Sequence, residues 1–141
     1  MVELILKTNP LRPGWFISEE VQSLTPGANR WRNGIRSHAW RPPTDVYETE
    51  EAIVVRVEIG GMQEEDFTIS LTGRLLSIRG QRPDVPERRA YHQMEISFGE
   101  FLSEVELPGP VAAEGVTAEY KAGFLRLVLP KDRPKRIHIS D

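Results

Sequence analysis

The chain of 141 residues contains no cysteine. Disulfides, thiolate metal sites and cysteine nucleophiles are thereby excluded, and a reducing compartment is compatible. A large excess of either charge is also missing: 18 Lys and Arg stand against 21 Asp and Glu, for a net charge of −3. That balance provides no electrostatic footprint for nucleic acid or an anionic membrane. No apolar run approaches the ~18 residues of a membrane span. Five of the first six residues are apolar, but Glu3, Lys7 and Pro10 interrupt them. The basic n-region, long apolar core and small-residue cleavage site of a signal peptide are absent. The expectation is a soluble, cytoplasmic protein.

Catalytic signatures are equally scarce. Gly60-Gly61 follows an apolar run, yet neither a P-loop nor a dinucleotide-binding glycine pattern occurs, and there is no Gly-x-Ser-x-Gly elbow. His38, His92 and His138 are far apart, without the close second histidine of a metal pair. The carboxylate clusters Glu19-Glu20, Glu50-Glu51 and Glu64-Glu65-Asp66 fall in turns or at a helix start, where solvation and the helix dipole favour acids. The chain is therefore expected not to be an enzyme and to need no cofactor or metal.

What is present is an ordinary globular composition, 39% apolar and 28% charged, sufficient for one domain with extensions. Residues 1–40 form an N-terminal arm holding Trp15, Trp31 and Trp40, all the tryptophans of the chain. Ser18-Glu19-Glu20 reads as the start of a short helix with Ile17, Val21 and Leu24 on one face, ended by Pro26-Gly27. From Pro42-Pro43 the pattern changes to period two. Strands are expected over 44–48, 52–59, 67–71, 75–79, 116–120 and 124–129, with one or two more between Tyr91 and Leu107 around Gly99. Gly73-Arg74 and Lys121-Ala122-Gly123 are hairpin connections. Seven or eight short strands, turn signals between them and almost no helix pattern indicate an all-β, antiparallel immunoglobulin-like sandwich over 41–131.

Two segments remain. The loop from about Gly80 to Arg89 carries Arg79, Arg82, Arg88 and Arg89 interleaved with Asp84 and Glu87, without an aromatic platform of RNA-binding type. It reads as a solvated loop or an intersubunit ion-pair region. The tail, 132–141, is charged and proline-containing, with Ile137 and Ile139 its large apolar residues. In an extended chain residues i and i+2 face the same side, so these two are placed to dock together. Burying both would contribute about 3–5 kcal/mol before ordering costs, weak singly but strong when repeated around an assembly.

With these pieces placed, the chain resembles the small heat-shock proteins, whose shared module is the alpha-crystallin domain. The resemblance runs from about Pro43 to Lys131 with the tail beyond, through Pro43-x-Asp45-Val46-Tyr47-Glu48, Glu64-Glu65-Asp66-Phe67 and Leu75-Leu76-Ser77-Ile78-Arg79-Gly80. It continues with Phe98-Gly99-x-Phe101, Leu107-Pro108, Ala118-Glu119-Tyr120-Lys121-Ala122-Gly123-Phe124-Leu125, Leu129-Pro130-Lys131 and Ile137-x-Ile139. It departs from the family pattern at Ile59-Gly60-Gly61, at Gln93-Met94-Glu95-Ile96 and at Ser103.

The resemblance implies an ATP-independent holdase that binds partly unfolded proteins and keeps them from aggregating, as a homo-oligomer of dimers. It implies a dimer loop and exchanged strand at Arg88, Arg89, Tyr91 and His92, and a tail-docking groove lined by Ile69, Leu71, Val116 and Ala118. The arm, with Trp15, Phe16, Ile17, Val21, Leu24 and Trp31, would serve assembly and client capture. The partners implied are further copies of the chain and non-native clients, with no nucleic acid and no membrane span. The competing reading is a partner-specific co-chaperone of the p23-like sandwich type, against which the Ile-x-Ile tail argues.

Overall fold

A computed structural model describes residues 39–84, 87 and 89–132 in full, together with the backbone of Glu3–Asn9 and Arg12–Glu20. Among the described residues, nine strands form two antiparallel sheets: β1 (Glu3–Asn9), β2 (Arg12–Glu20), β3 (Thr44–Glu48), β4 (Ala52–Glu58), β5 (Phe67–Thr72), β6 (Leu75–Arg82), β7 (Gly99–Glu106), β8 (Thr117–Lys121) and β9 (Phe124–Pro130). One sheet runs β2-β1-β5-β6-β7 and the other β3-β4-β9-β8. The all-β sandwich is as the alternation implied. Only two single-turn 3-10 segments, Glu64–Asp66 and Ala113–Gly115, interrupt the strands among the described residues.

Period two builds the core directly. Ile53, Val55 and Val57 of β4 and Leu125, Leu127 and Leu129 of β9 point inward from one sheet. Phe67, Ile69, Leu71, Leu76, Ile78, Phe101 and Val105 point inward from the other. Each such side chain contributes about 1.5–3 kcal/mol by leaving water. The one buried polar residue among those described, Ser103, lies 2.7 Å from the Thr44 hydroxyl and so links the two sheets by a hydrogen bond. Its burial is thus satisfied.

The family words have local physical reasons. A Cβ at Gly80 would sit 2.2 Å from the Asp66 carbonyl oxygen and 2.8 Å from the Phe101 ring, so only glycine fits where β5 and β6 cross that ring. The Arg74 guanidinium donates twice to the Leu107 carbonyl, at 2.9 and 2.7 Å, closing the far end of β7. The Tyr120 hydroxyl donates to the Ile59 carbonyl at 2.8 Å and accepts from the Met62 N–H at 3.3 Å. It thereby fixes the Gly60-Gly61 turn that replaces the usual family sequence. In the β8–β9 hairpin Ala122 and Gly123 hold φ of 51° and 83°, the paired positive values of a type I′ turn.

Three local expectations are corrected. Ser18-Glu19-Glu20 belongs to strand β2, not to a helix: the three residues pair with Ile5, Leu4 and Glu3 of β1, and this partner overrides the capping signal. Residues 3–9, read only for a leader, supply β1. Tyr91–Phe98 forms no strand; only Gly99–Glu106 does. A strand needs a neighbour, and Tyr91, Met94 and Ile96 are 48%, 61% and 64% exposed in the isolated chain. The expected helix positions Val21 and Leu24, and also Trp31, lie outside the described residues.

Candidate functional site

Among the described residues there is no cluster of three His, Asp or Glu that could hold a metal, and no helix long and apolar enough to cross a membrane. The arrangement offers surfaces for other chains instead, chiefly at strand edges, where backbone N–H and C=O groups lack partners within the sheet.

The first is the edge of β5, with β8 in the other sheet. Ile69 and Leu71 are buried on β5, and Val116 and Ala118, just before and within β8, are half-buried against the same core cluster. The four expected groove residues thus belong to, or pack against, one core cluster. The β5 edge carries a strand already: β1 pairs with β5, Leu4 opposite Leu71, Ile5 opposite Ser70 and Leu6 opposite Ile69. β2 lies alongside β1 and approaches β8. The tail residues Ile137 and Ile139 lie outside the described residues.

The second surface is the outer edge of β3 with the segment that leaves β6. Val46 and Tyr47 are 41% and 42% exposed on that strand. At the end of β6, Arg82 lies over the Trp40 and Phe98 rings, 4.5 and 5.5 Å from their centroids, and donates through Nε and Nη2 to the Ser97 carbonyl. Trp40 in turn packs on Phe101 at 5.8 Å and bridges the edge of β7. The base of the loop is thus clamped. Further along, Arg89 donates to Asp84 at 3.1 Å and to the Tyr91 hydroxyl at 2.8 Å, with Glu87 at 3.4 Å. The Tyr91 hydrogen bond, then the charge of Asp84, holds the Arg89 guanidinium charged above its ordinary range. His92 is exposed beside them; Arg88 lies outside the described residues.

The third surface is the outer face of the β3-β4-β9-β8 sheet, where Tyr47, Arg56, Glu119, Phe124 and Arg126 line a depression. Arg56 lies 4.9 Å over the Phe124 ring, and the row Asp45, Arg56, Arg126, Glu119 crosses all four strands.

Sequence reasoning missed Val46, Tyr47, Met94 and Ile96 as exposed apolar residues. Val46 and Tyr47 fell in an expected strand, and Met94 and Ile96 in a segment also expected to be strand, so their exposure had no separate signal. It also missed the β1–β2 hairpin, whose signal was the short run Leu4-Ile5-Leu6 bounded by Asn9-Pro10.

The two antiparallel sheets define an all-β sandwich class. The particular family follows from comparison: the profile of the Hsp20/alpha crystallin family matches residues 45–140, and the chain belongs to that family. It is similar to spore protein SP21 of Stigmatella aurantiaca, 36% identical over 72% of this chain and 63% of that protein. It is also similar to small heat shock protein C2 of Rickettsia felis, 29% identical over 64% of this chain and 60% of that one. The matched part spans less than two thirds of either relative. Among solved structures, a small heat-shock protein from Xylella fastidiosa superposes with a TM-score of 0.59 at 26% identity, covering 72% of this chain and 98% of that one.

Proposed function

We propose that this protein is an ATP-independent chaperone, a holdase that binds partly unfolded proteins and prevents their aggregation, working in the cytoplasm as a homo-oligomer built from dimers. The observation that carries the reading is the exposure of apolar residues on the β3 edge (Val46, Tyr47) and in the loop beyond β6 (Tyr91, Met94, Ile96) of a family sandwich. Large exposed apolar residues next to an open strand edge are the ordinary mark of a surface that another chain covers.

In the dimer, the segment 91–96 of one subunit adds as a strand to the outer edge of β3 of the other, with Arg88, Arg89 and His92 alongside. Dimers then join through Ile137 and Ile139, docking between β5 and β8 near Ile69, Leu71, Val116 and Ala118. Clients meet the arm, with Trp15, Phe16 and Ile17 in β2 and Val21, Leu24 and Trp31 beyond it. Assembly masks apolar surface at rest, and heating loosens the individually weak tail contacts and releases it.

The test is light scattering from an unrelated heat-labile protein during heating, without nucleotide. Near-stoichiometric amounts of the folded chain are expected to suppress the rise in scattering; no suppression would refute the holdase reading.

A further inference from the structure

The outer face of the β3-β4-β9-β8 sheet carries charges that the fold does not use. Asp45, Arg56, Arg126 and Glu119 stand in one row, each directly opposite the next across neighbouring strands. Arg56 and Arg126 are therefore like charges side by side, an arrangement that destabilises a sheet. Both are exposed, and neither forms an ion pair among the described residues. With Lys121 they set three cations against one acid, Glu119, around a depression of ≈ 370 Å³, in a chain whose net charge is −3.

Two further features distinguish this place from a solvated patch. Arg56 lies 4.9 Å over the Phe124 ring, so its guanidinium is held before a ligand arrives and loses less rotamer freedom on binding. The arginine pair also lies between apolar rows. On one side is Phe124, 38% exposed and two residues before Arg126; on the other Tyr47, Val54 and Val128 stand opposite one another.

Along β9 the outward positions thus read apolar, cationic, apolar, about 6.7 Å apart. An extended chain laid along β4 and β9 has the same repeat, so alternate side chains of the order apolar-x-acid-x-apolar meet all three rows. Arg56 and Arg126 then share the acid's two oxygens. Asp45 and Glu119 close the charged row at both ends and repel a continuous polyanion, which disfavours nucleic acid. Inorganic phosphate would fit the arginine pair but leave both apolar rows uncovered.

We infer that this depression binds an extended segment of another protein in which one Asp or Glu lies between apolar residues at i−2 and i+2. Recognition here is by charge and spacing and needs no unfolded client, so the inference does not rest on the holdase reading.

The test uses the full chain at low temperature and low salt, with a peptide of core Leu-Ser-Asp-Ser-Leu carrying a neutral dye, followed by anisotropy. Exposed charge pairs contribute up to ~5-fold each, so the double variant Arg56→Gln with Arg126→Gln is expected to bind about 10-fold more weakly, at an unchanged Tm. The Asn counterpart of the peptide is expected to bind the native chain equally weakly, and raised salt should bring the Asp peptide to that level. No binding of the Asp peptide, or equal binding by the double variant, overturns the site. Equal binding of the Asn peptide overturns it too, because apolar contact alone would then hold the segment. Displacement of the peptide by an equal concentration of inorganic phosphate overturns the choice of a peptide as ligand.

Discussion

Ile69 and Val46 sit in strands of similar length, yet one is fully buried and the other 41% exposed. Around Ile69 the two sheets supply neighbours on every side, and residue type follows from space alone. Around Val46 only β4 constrains the strand, and the outer edge is left for something else. The sandwich interior is therefore specified within one chain, whereas its edges make full sense only with further strands. The β5 edge finds one in the chain's own hairpin. For β3, no further strand lies at the edge among the described residues.

Ladder parity on β3 offers the sharpest way to break that contrast. The Glu58 N–H donates to the Pro43 carbonyl and the Thr49 N–H to the Ala52 carbonyl, so positions 43, 45, 47 and 49 face β4 and position 46 faces outward. Val46→Pro removes an outward donor without removing a bond to β4. It is expected to convert dimers to monomers in sedimentation, with circular dichroism unchanged; a surviving dimer would show that β3 is not the exchange edge.

Gly80→Ala acts on the interior instead. It forces a methyl against the Asp66 carbonyl and the Phe101 ring, and should cost about 1–3 kcal/mol, read as a lower Tm. The smallest effect belongs to the turn. Ala122 holds φ of 51°, so Ala122→Asn should stabilise by roughly 0.5–1 kcal/mol in denaturant unfolding and leave assembly untouched.

The same contrast governs what could be read from the sequence. β4 and β9 were legible because Ile53, Val55, Val57 and Leu125, Leu127, Leu129 alternate without interruption. β1 was not: Glu3 and Lys7 blur its period, and its partner at Leu71 lies far along the chain, which local pattern does not encode. Ser18-Glu19-Glu20 carried a helix-start signal that pairing with Glu3–Ile5 outweighed. Tyr91–Phe98 alternates like a strand, yet the isolated chain provides it no neighbour. Ile69 and Leu71 were legible as core residues, because Phe67-Thr68-Ile69-Ser70-Leu71 alternates strictly. The strand that lies on their edge was not, because its pairing joins distant parts of the chain.

The central claim is that the edges of this sandwich assemble it, and the most direct measurement is the mass of the assembly by light scattering for the native chain and for Ile137→Ala with Ile139→Ala. The account predicts that the double variant falls toward dimers while its thermal unfolding is unchanged. An unchanged mass would contradict it.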